Sequence, residues 1–203
     1  MLLRKLFEKK VRKESFLIIG LGNPGREYKL NRHNIGFLAI DRLSKAWDIP
    51  LGQLRNKALI GLGQQANKNV ILAKPQTFMN DSGFSVASMV RFYKIALERV
   101  LVVYDDLDLP LGVLRLREGG GSAGHKGMAS IIQQLGSNEF PRLRLGIGRP
   151  IGHMDVMDYV LQDFNHQEQE ILSLMLNHIE EAAQVFLIEG INAAMTHFNG
   201  PVI

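Results

Sequence analysis

Two stretches carry residue types from which hydrolytic chemistry could be built. The first, Phe16 to Phe37 (FLIIGLGNPGREYKLNRHNIGF), is an apolar run that breaks into a glycine–proline turn, crosses a polar loop and delivers His33. The second, Val100 to Pro110 (VLVVYDDLDLP), is again apolar and delivers Asp105, Asp106 and Asp108. An imidazole with a pKa near ~6.5 is largely neutral and basic at physiological pH, and a carboxylate on one ring nitrogen fixes the other as proton acceptor. A histidine and an aspartate presented from two strand ends therefore form a candidate general-base pair. Asp105 directly follows the apolar run, so it is expected to be the least solvated of the three. Three close carboxylates could also hold Mg²⁺ or cap a loop.

His125, in the glycine-rich loop Gly119 to Gly127, is the rival to His33, whereas His153, His166, His178 and His197 fall in the tail and read as surface or core fillers. No histidine pair has HxxxH or HExxH spacing, so no metal site is expected. Phe78-Met79-Asn80 lies between an expected strand and helix, where an amide could face a ligand carbonyl; the plainer reading is a helix cap. Gly20-Leu21-Gly22-Asn23-Pro24-Gly25 matches GxGxxG. A dinucleotide fingerprint needs a helix to begin within the glycines, and here Pro24 and a polar loop intervene. A tight turn that places Asn23 is the better reading. Gly120-Gly121-Ser122-Ala123-Gly124 matches the GxSxG nucleophile elbow, with Asp155 or Asp163 and His178 or His197 following in order. A sharp, strained elbow contrasts with this long glycine loop, which reads better as backbone room for a ligand.

The elements that must position these groups follow from apolar periodicity. Phe16–Leu21 and Val100–Tyr104 are uninterrupted apolar runs, as buried parallel strands require. Ala58–Gly63 and Asn69–Lys74 flank a polar turn at Ala66-Asn67 and predict an antiparallel hairpin. Gly112–Arg117 and Arg142–Gly148 alternate apolar and basic residues, as half-exposed strands do. Helices are expected over Asn34–Trp47, from Asp81 or Ser82 to about Lys94, near Met128–Leu135, over Met154–Leu161 and over Gln167–Ile188. Strands alternating with helices, plus one hairpin, predict a single three-layer α/β domain with a mixed, mostly parallel central sheet flanked by helices.

Length and charge bound the function. The 203 residues suffice for one domain, and the absence of cysteine excludes disulfides, thiolate metal sites and cysteine nucleophiles. No apolar run approaches the roughly 20 residues of a membrane span, and a cytoplasmic location is expected by default. The net charge of +4 is unevenly spread: residues 1–15 carry six basic and two acidic side chains, residues 16–149 eighteen and ten, and residues 150–203 none and eight. A basic body with an acidic tail suggests a polyanionic partner met on one face; solvated surface charge is the plainer alternative. Residues 1–15 read as a basic, poorly ordered appendage, and 16–203 as the catalytic domain.

Taken together, GLGNPG, RHNIG, KPQTFMNDSG, DDLDLPLG, the glycine loop and RLRLGIGRP, in that order over about Leu17 to Phe198, resemble bacterial-type peptidyl-tRNA hydrolase. The resemblance implies hydrolysis of the ester joining a peptide to the 3′ ribose of tRNA, with no cofactor and no metal. It implies that His33 is the general base and Asp105 its orienting partner, and that Asn23 recognises the peptide-bearing substrate. Tyr28, Phe78, Met79 and Asn80 would line the site for the 3′ end with His125 and Lys126, and Arg117 and Arg144 would grip tRNA phosphate. The implied partner is the acceptor stem and 3′ CCA end of peptidyl-tRNA, met by a monomer with no obligate protein partner and no membrane. Lys126 departs from the family pattern, which usually has asparagine there; lysine donates but cannot accept. Two other classes remain open: an RNA-binding protein without chemistry, and a serine esterase using Ser122.

Overall fold

The computed structural model describes residues 15–150 and 152–202. The two apolar runs lie side by side at the centre of one sheet: β1 (Ser15–Gly20) and β5 (Val100–Asp106) pair in parallel, with Gly20 opposite Val103. β4 (Lys68–Pro75) flanks β1 and β7 (Arg142–Gly146) flanks β5, both in parallel. Antiparallel strands extend both edges: β3 (Ala58–Gln65) and β2 (Gln53–Arg55) beyond β4, and β6 (Val113–Arg117) and β8 (Gly200–Pro201) beyond β7. The eight-stranded sheet is thus mixed, with a parallel centre.

The two faces of the sheet explain the unbroken apolarity of β1 and β5. Successive side chains point to opposite faces, and here both faces are covered. Ile18, Leu101 and Val103 pack against α1 (Ile35–Ala46), α5 (His166–Glu189) and α6 (Ile191–Phe198). Leu17, Ile19, Val102 and Tyr104 pack against α2 (Ser82–Tyr93) and α3 (Lys126–Leu135). α5 is long and apolar enough to cross a membrane by composition, yet it places Met175, Ile179, Ala183 and Phe186 in the core.

Several expectations shift. Ser15, assigned to the appendage, is the first residue of β1 and pairs with Asn69; residues 1–14 lie outside the described residues. The hairpin forms, and Ala66 and Asn67 both adopt positive φ at its two-residue turn. Asp81 occupies the N-cap of α2, but its side chain accepts no capping hydrogen bond. β2, α6 and β8 have no counterpart among the expected elements.

One close approach sets the position of His33. A Cβ on Gly36, in the first turn of α1, would lie 2.5 Å from the backbone nitrogen of Leu21 and 2.5 Å from the carbonyl oxygen of Val103. A Cβ on Gly20 would meet the Gly36 carbonyl. Glycine at both positions brings the start of α1 onto the C-terminal ends of β1 and β5. The single 3₁₀ turn Arg32–Asn34 that precedes α1 is held there.

Candidate active site

The strand ends open into a cleft of about 790 Å³. On its floor, Nδ1 of His33 donates to Oδ1 of Asp105 at 2.9 Å. Asp105 is itself within β5 and buried, while the His33 side chain keeps 15% exposure. The other ring nitrogen, Nε2, has no partner among the described residues.

His125 completes this group. It is the N-cap of α3, where its Nδ1 accepts from the Met128 backbone N–H at 3.2 Å. Its Nε2 must then carry the proton, and it donates to the same Asp105 oxygen at 3.1 Å. Tyr104 packs edge-on against the His125 ring at 5.0 Å.

The three side chains also converge as metal donors would, although their sequence spacing gave no such hint. The hydrogen bonding favours protons instead. A metal on Nε2 of His125 would move its proton to Nδ1, against the Met128 N–H.

Burial and charge compete at this floor. Burial pulls the pKa of His33 down, but the charge and hydrogen bond of Asp105 more than offset it, and the ammonium of Lys126 pulls only weakly the other way. The pKa ends above the ordinary 6.5. Burial would raise the Asp105 carboxyl, yet the electrostatics of the His33 and His125 rings and their hydrogen bonds hold it well below the usual carboxylate range.

Asn23 stands on the cleft wall in a fixed orientation. Its backbone N–H donates to Oδ1 of Asn34 at 2.8 Å, and Nδ2 of Asn34 donates back to its carbonyl at 2.9 Å. Oδ1 of Asn23 accepts from the Met79 N–H at 2.9 Å. Its Nδ2 is left as a donor without a partner among the described residues. Phe78, Met79 and Asn80 line the same wall, with Phe78 62% exposed.

Behind the wall, Arg32 does what the sequence did not announce. Its buried guanidinium donates to both carboxylate oxygens of Glu168 at 2.9 and 2.7 Å and to the Asp163 carbonyl at 2.7 Å. It also lies 4.5 Å over the Tyr159 ring. Neighbouring residues thus point opposite ways, His33 to Asp105 and Arg32 to the segment that includes α4 (Val156–Val160), whose Val156, Met157 and Val160 line the cleft. Asn34 and Arg32 are supporting residues to which the sequence assigned no role; a basic and an amide neighbour on either side of His33 were their only signal.

Lys126 opens α3 and lines the cleft. Tyr28 is partly buried and outside the cleft lining. Arg115, Arg117, Arg142 and Arg144 share one sheet face by register, with Arg117 exposed at the end of β6. Nε of Arg144 donates to Asp106 at 2.5 Å, and Arg142 is fully buried, donating to the carbonyls of Gly121 and Asn138.

Ser122 lines the cleft without any side-chain hydrogen bond among the described residues, and both nitrogens of His125 are committed elsewhere. Asp155, Asp163, His178 and His197 are not in the cleft lining. The nucleophile-elbow alternative is therefore not favoured: among the described residues no base is bonded to the serine.

The peptidyl-tRNA hydrolase family profile matches residues 17–202. The chain is 54% identical over 185 residues to peptidyl-tRNA hydrolase of Carboxydothermus hydrogenoformans, covering 91% of this chain and 98% of the relative. It is equally identical to the chloroplastic peptidyl-tRNA hydrolase of Arabidopsis thaliana, of whose length it spans 64%. A crystal structure of peptidyl-tRNA hydrolase from Acinetobacter baumannii superposes with a TM-score of 0.87 at 35% identity, covering 93% of this chain and 96% of that one. With a His–Asp pair on the cleft floor and this likeness running from β1 to β8, the chain belongs to the peptidyl-tRNA hydrolase family, enzymes that hydrolyse peptidyl-tRNA.

Proposed function

We propose that this chain hydrolyses peptidyl-tRNA by general-base catalysis, with Nε2 of His33 as the base and Asp105 as its orienting carboxylate. The observation that carries this reading is the 2.9 Å bond from Nδ1 of His33 to Asp105, which fixes the proton there and leaves Nε2 as acceptor toward the cleft. A water held by Nε2 gives up its proton as its oxygen attacks the ester carbonyl carbon. The carbonyl electrons move onto oxygen, and the amide donors of Asn23 and Asn80 stabilise the negative charge. Collapse breaks the bond to the ribose oxygen, and the His33 imidazolium, stabilised by Asp105, returns its proton to that leaving oxygen. The peptide leaves as a carboxylic acid and the tRNA with a free hydroxyl.

His125 acts on the carboxylate, not the water: its N–H fixes the rotamer of Asp105. Nδ2 of Asn23, the donor left over after Met79 takes its oxygen, suits donation to the backbone carbonyl of a peptide, a group that a free aminoacyl ester lacks. The exposed ring of Phe78 suits stacking on a base of the 3′ CCA end, with Tyr28 further out. Arg117 and its sheet-face neighbour Arg144 suit the acceptor-stem phosphates, Arg144 being already oriented by Asp106. The proposed form is a monomer acting without a protein partner or cofactor. The proposed compartment is wherever the host translates, the cytoplasm in a bacterium.

Incubating purified protein with N-acetyl-aminoacyl-tRNA tests the reading. Release of the acylated amino acid by wild type but not by His33→Ala is the expected result. Equal release by both, or cleavage lost only in Ser122→Ala, overturns it.

A further inference from the structure

The carboxylates lining the cleft all have hydrogen-bonding partners. Asp105 is bonded by His33 and His125, Asp106 by Arg144, and Asp108 by Arg149. Of the two permanent cations in the lining, Arg149 is therefore paired. Lys126 is not: its Nζ has only the thioether of Met157, at 3.7 Å, and no carboxylate among the described residues. A thioether is a weak acceptor and leaves the ammonium's charge uncompensated. The Lys126 ammonium therefore has no counter-charge in contact with it among the described residues.

The place of that charge bears on what would answer it. Lys126 is exposed, whereas the reacting end of the cleft, at Asp105, is buried. Its side chain reaches from the first turn of α3 to Met157 on α4, so the ammonium spans the rim between the two walls. An anion at the rim would be one that remains outside when the ester reaches His33. In a substrate whose ester lies at the end of a nucleotide chain, such an anion is a phosphodiester, not the oxygen of the breaking ester.

We propose that Lys126 is a binding residue for a phosphodiester of the single-stranded 3′ end of the substrate, and that it leaves Met157 for that phosphate when substrate enters. This deepens the peptidyl-tRNA reading and rests on it. The contact adds to affinity and does not act on the reacting atoms. It supplies by charge what an amide at that position would have to supply by hydrogen bonds.

The test compares wild type, Lys126→Met and Lys126→Arg on two substrates carrying the same N-acetylated amino acid, one esterified to whole tRNA and one to adenosine alone, which has no phosphate. Lys126→Met is expected to raise KM for the tRNA substrate by roughly 5-fold more than for the nucleoside ester, with kcat little moved. It should also reduce the slope of log kcat/KM against log salt by about 0.7–1, the share of one phosphate contact. Lys126→Arg should restore both. Equal losses on the two substrates would place the ammonium at the reacting carbonyl and overturn the proposal, as would an unchanged KM and salt slope. Absence of wild-type turnover on the tRNA substrate would instead sink the parent reading.

Discussion

His33 and His125 donate to a single oxygen, Oδ1 of Asp105, at 2.9 and 3.1 Å, and their rings lie 5.1 Å apart. The two imidazoles are not equivalent. The second nitrogen of His125 is consumed by the Met128 N–H, whereas that of His33 has no partner among the described residues. Only one of the pair is available as a base. Replacing His33 by Ala is expected to lower kcat by about 10²–10⁴-fold, while His125→Gln, which keeps a donor toward Asp105, should lose much less. Single-turnover assays, with circular dichroism to confirm folding, check this; a larger loss in His125→Gln would reverse the roles.

The pH profile tests the coupling of His33 to Asp105. Chemistry needs the neutral ring, so kcat/KM should fall as pH drops through the His33 pKa, with a midpoint above 6.5. Asp105→Asn removes the carboxylate that raises this pKa, and the residual activity should show a midpoint moved to lower pH. For stability, a base whose pKa is raised on folding contributes below its unfolded pKa and loses that contribution as pH rises through the folded value. Asp105, held low, contributes above the ordinary carboxylate value near ~3.9 and loses its contribution as pH falls. A midpoint indifferent to Asp105→Asn would show that another group titrates.

Much of this site was legible because single residue types at strand ends carry it. The apolar runs Phe16–Leu21 and Val100–Tyr104 could only be buried strands, and the ends of parallel neighbours bring His33 and Asp105 together across 72 residues. The positive φ of Ala66 and Asn67 fits the polar turn between two apolar segments. Other features had no local signature. Arg32 meets Glu168 across 136 residues, and nothing near either one names the partner. Charge set the acidic tail apart from the basic body, yet its α4 builds one wall of the cleft. β8 and β2 are two and three residues long, too short for any periodicity to show.

Asn23 offers a test of substrate choice separate from rate. Its Oδ1 is tied to Met79 and its Nδ2 is the free donor. Asn23→Asp keeps the acceptor and removes the donor, so the ratio of kcat/KM for N-acetyl-aminoacyl-tRNA over aminoacyl-tRNA should fall by about 10-fold, the worth of one or two kcal/mol of hydrogen bonding. Competition between the two substrates in one tube measures the ratio directly. An unchanged ratio with lowered kcat would reassign the amide to the developing oxyanion alone.

The Arg32–Glu168 pair joins the turn that bears His33 to the N-terminus of α5. Glu168 is doubly engaged, since its carboxylate also accepts from the N-cap backbone of Asn165 in a capping box. The Arg32 side chain is only 7% exposed, so removing its counter-charge leaves a buried cation unanswered. Glu168→Gln is expected to cost about 3 kcal/mol in urea unfolding, well beyond the ~1 kcal/mol of a lost cap alone. Arg32→Met removes the charge from the other side and fills the space under Tyr159 with an apolar chain. In the double variant Arg32→Met/Glu168→Gln no buried charge is stranded, and much of the stability should return. Because Arg32 adjoins His33 and touches Tyr159, the single variants should also lower kcat through a displaced turn, and the double variant should recover stability more fully than turnover. Additive losses in the double variant would mean that the two side chains act independently.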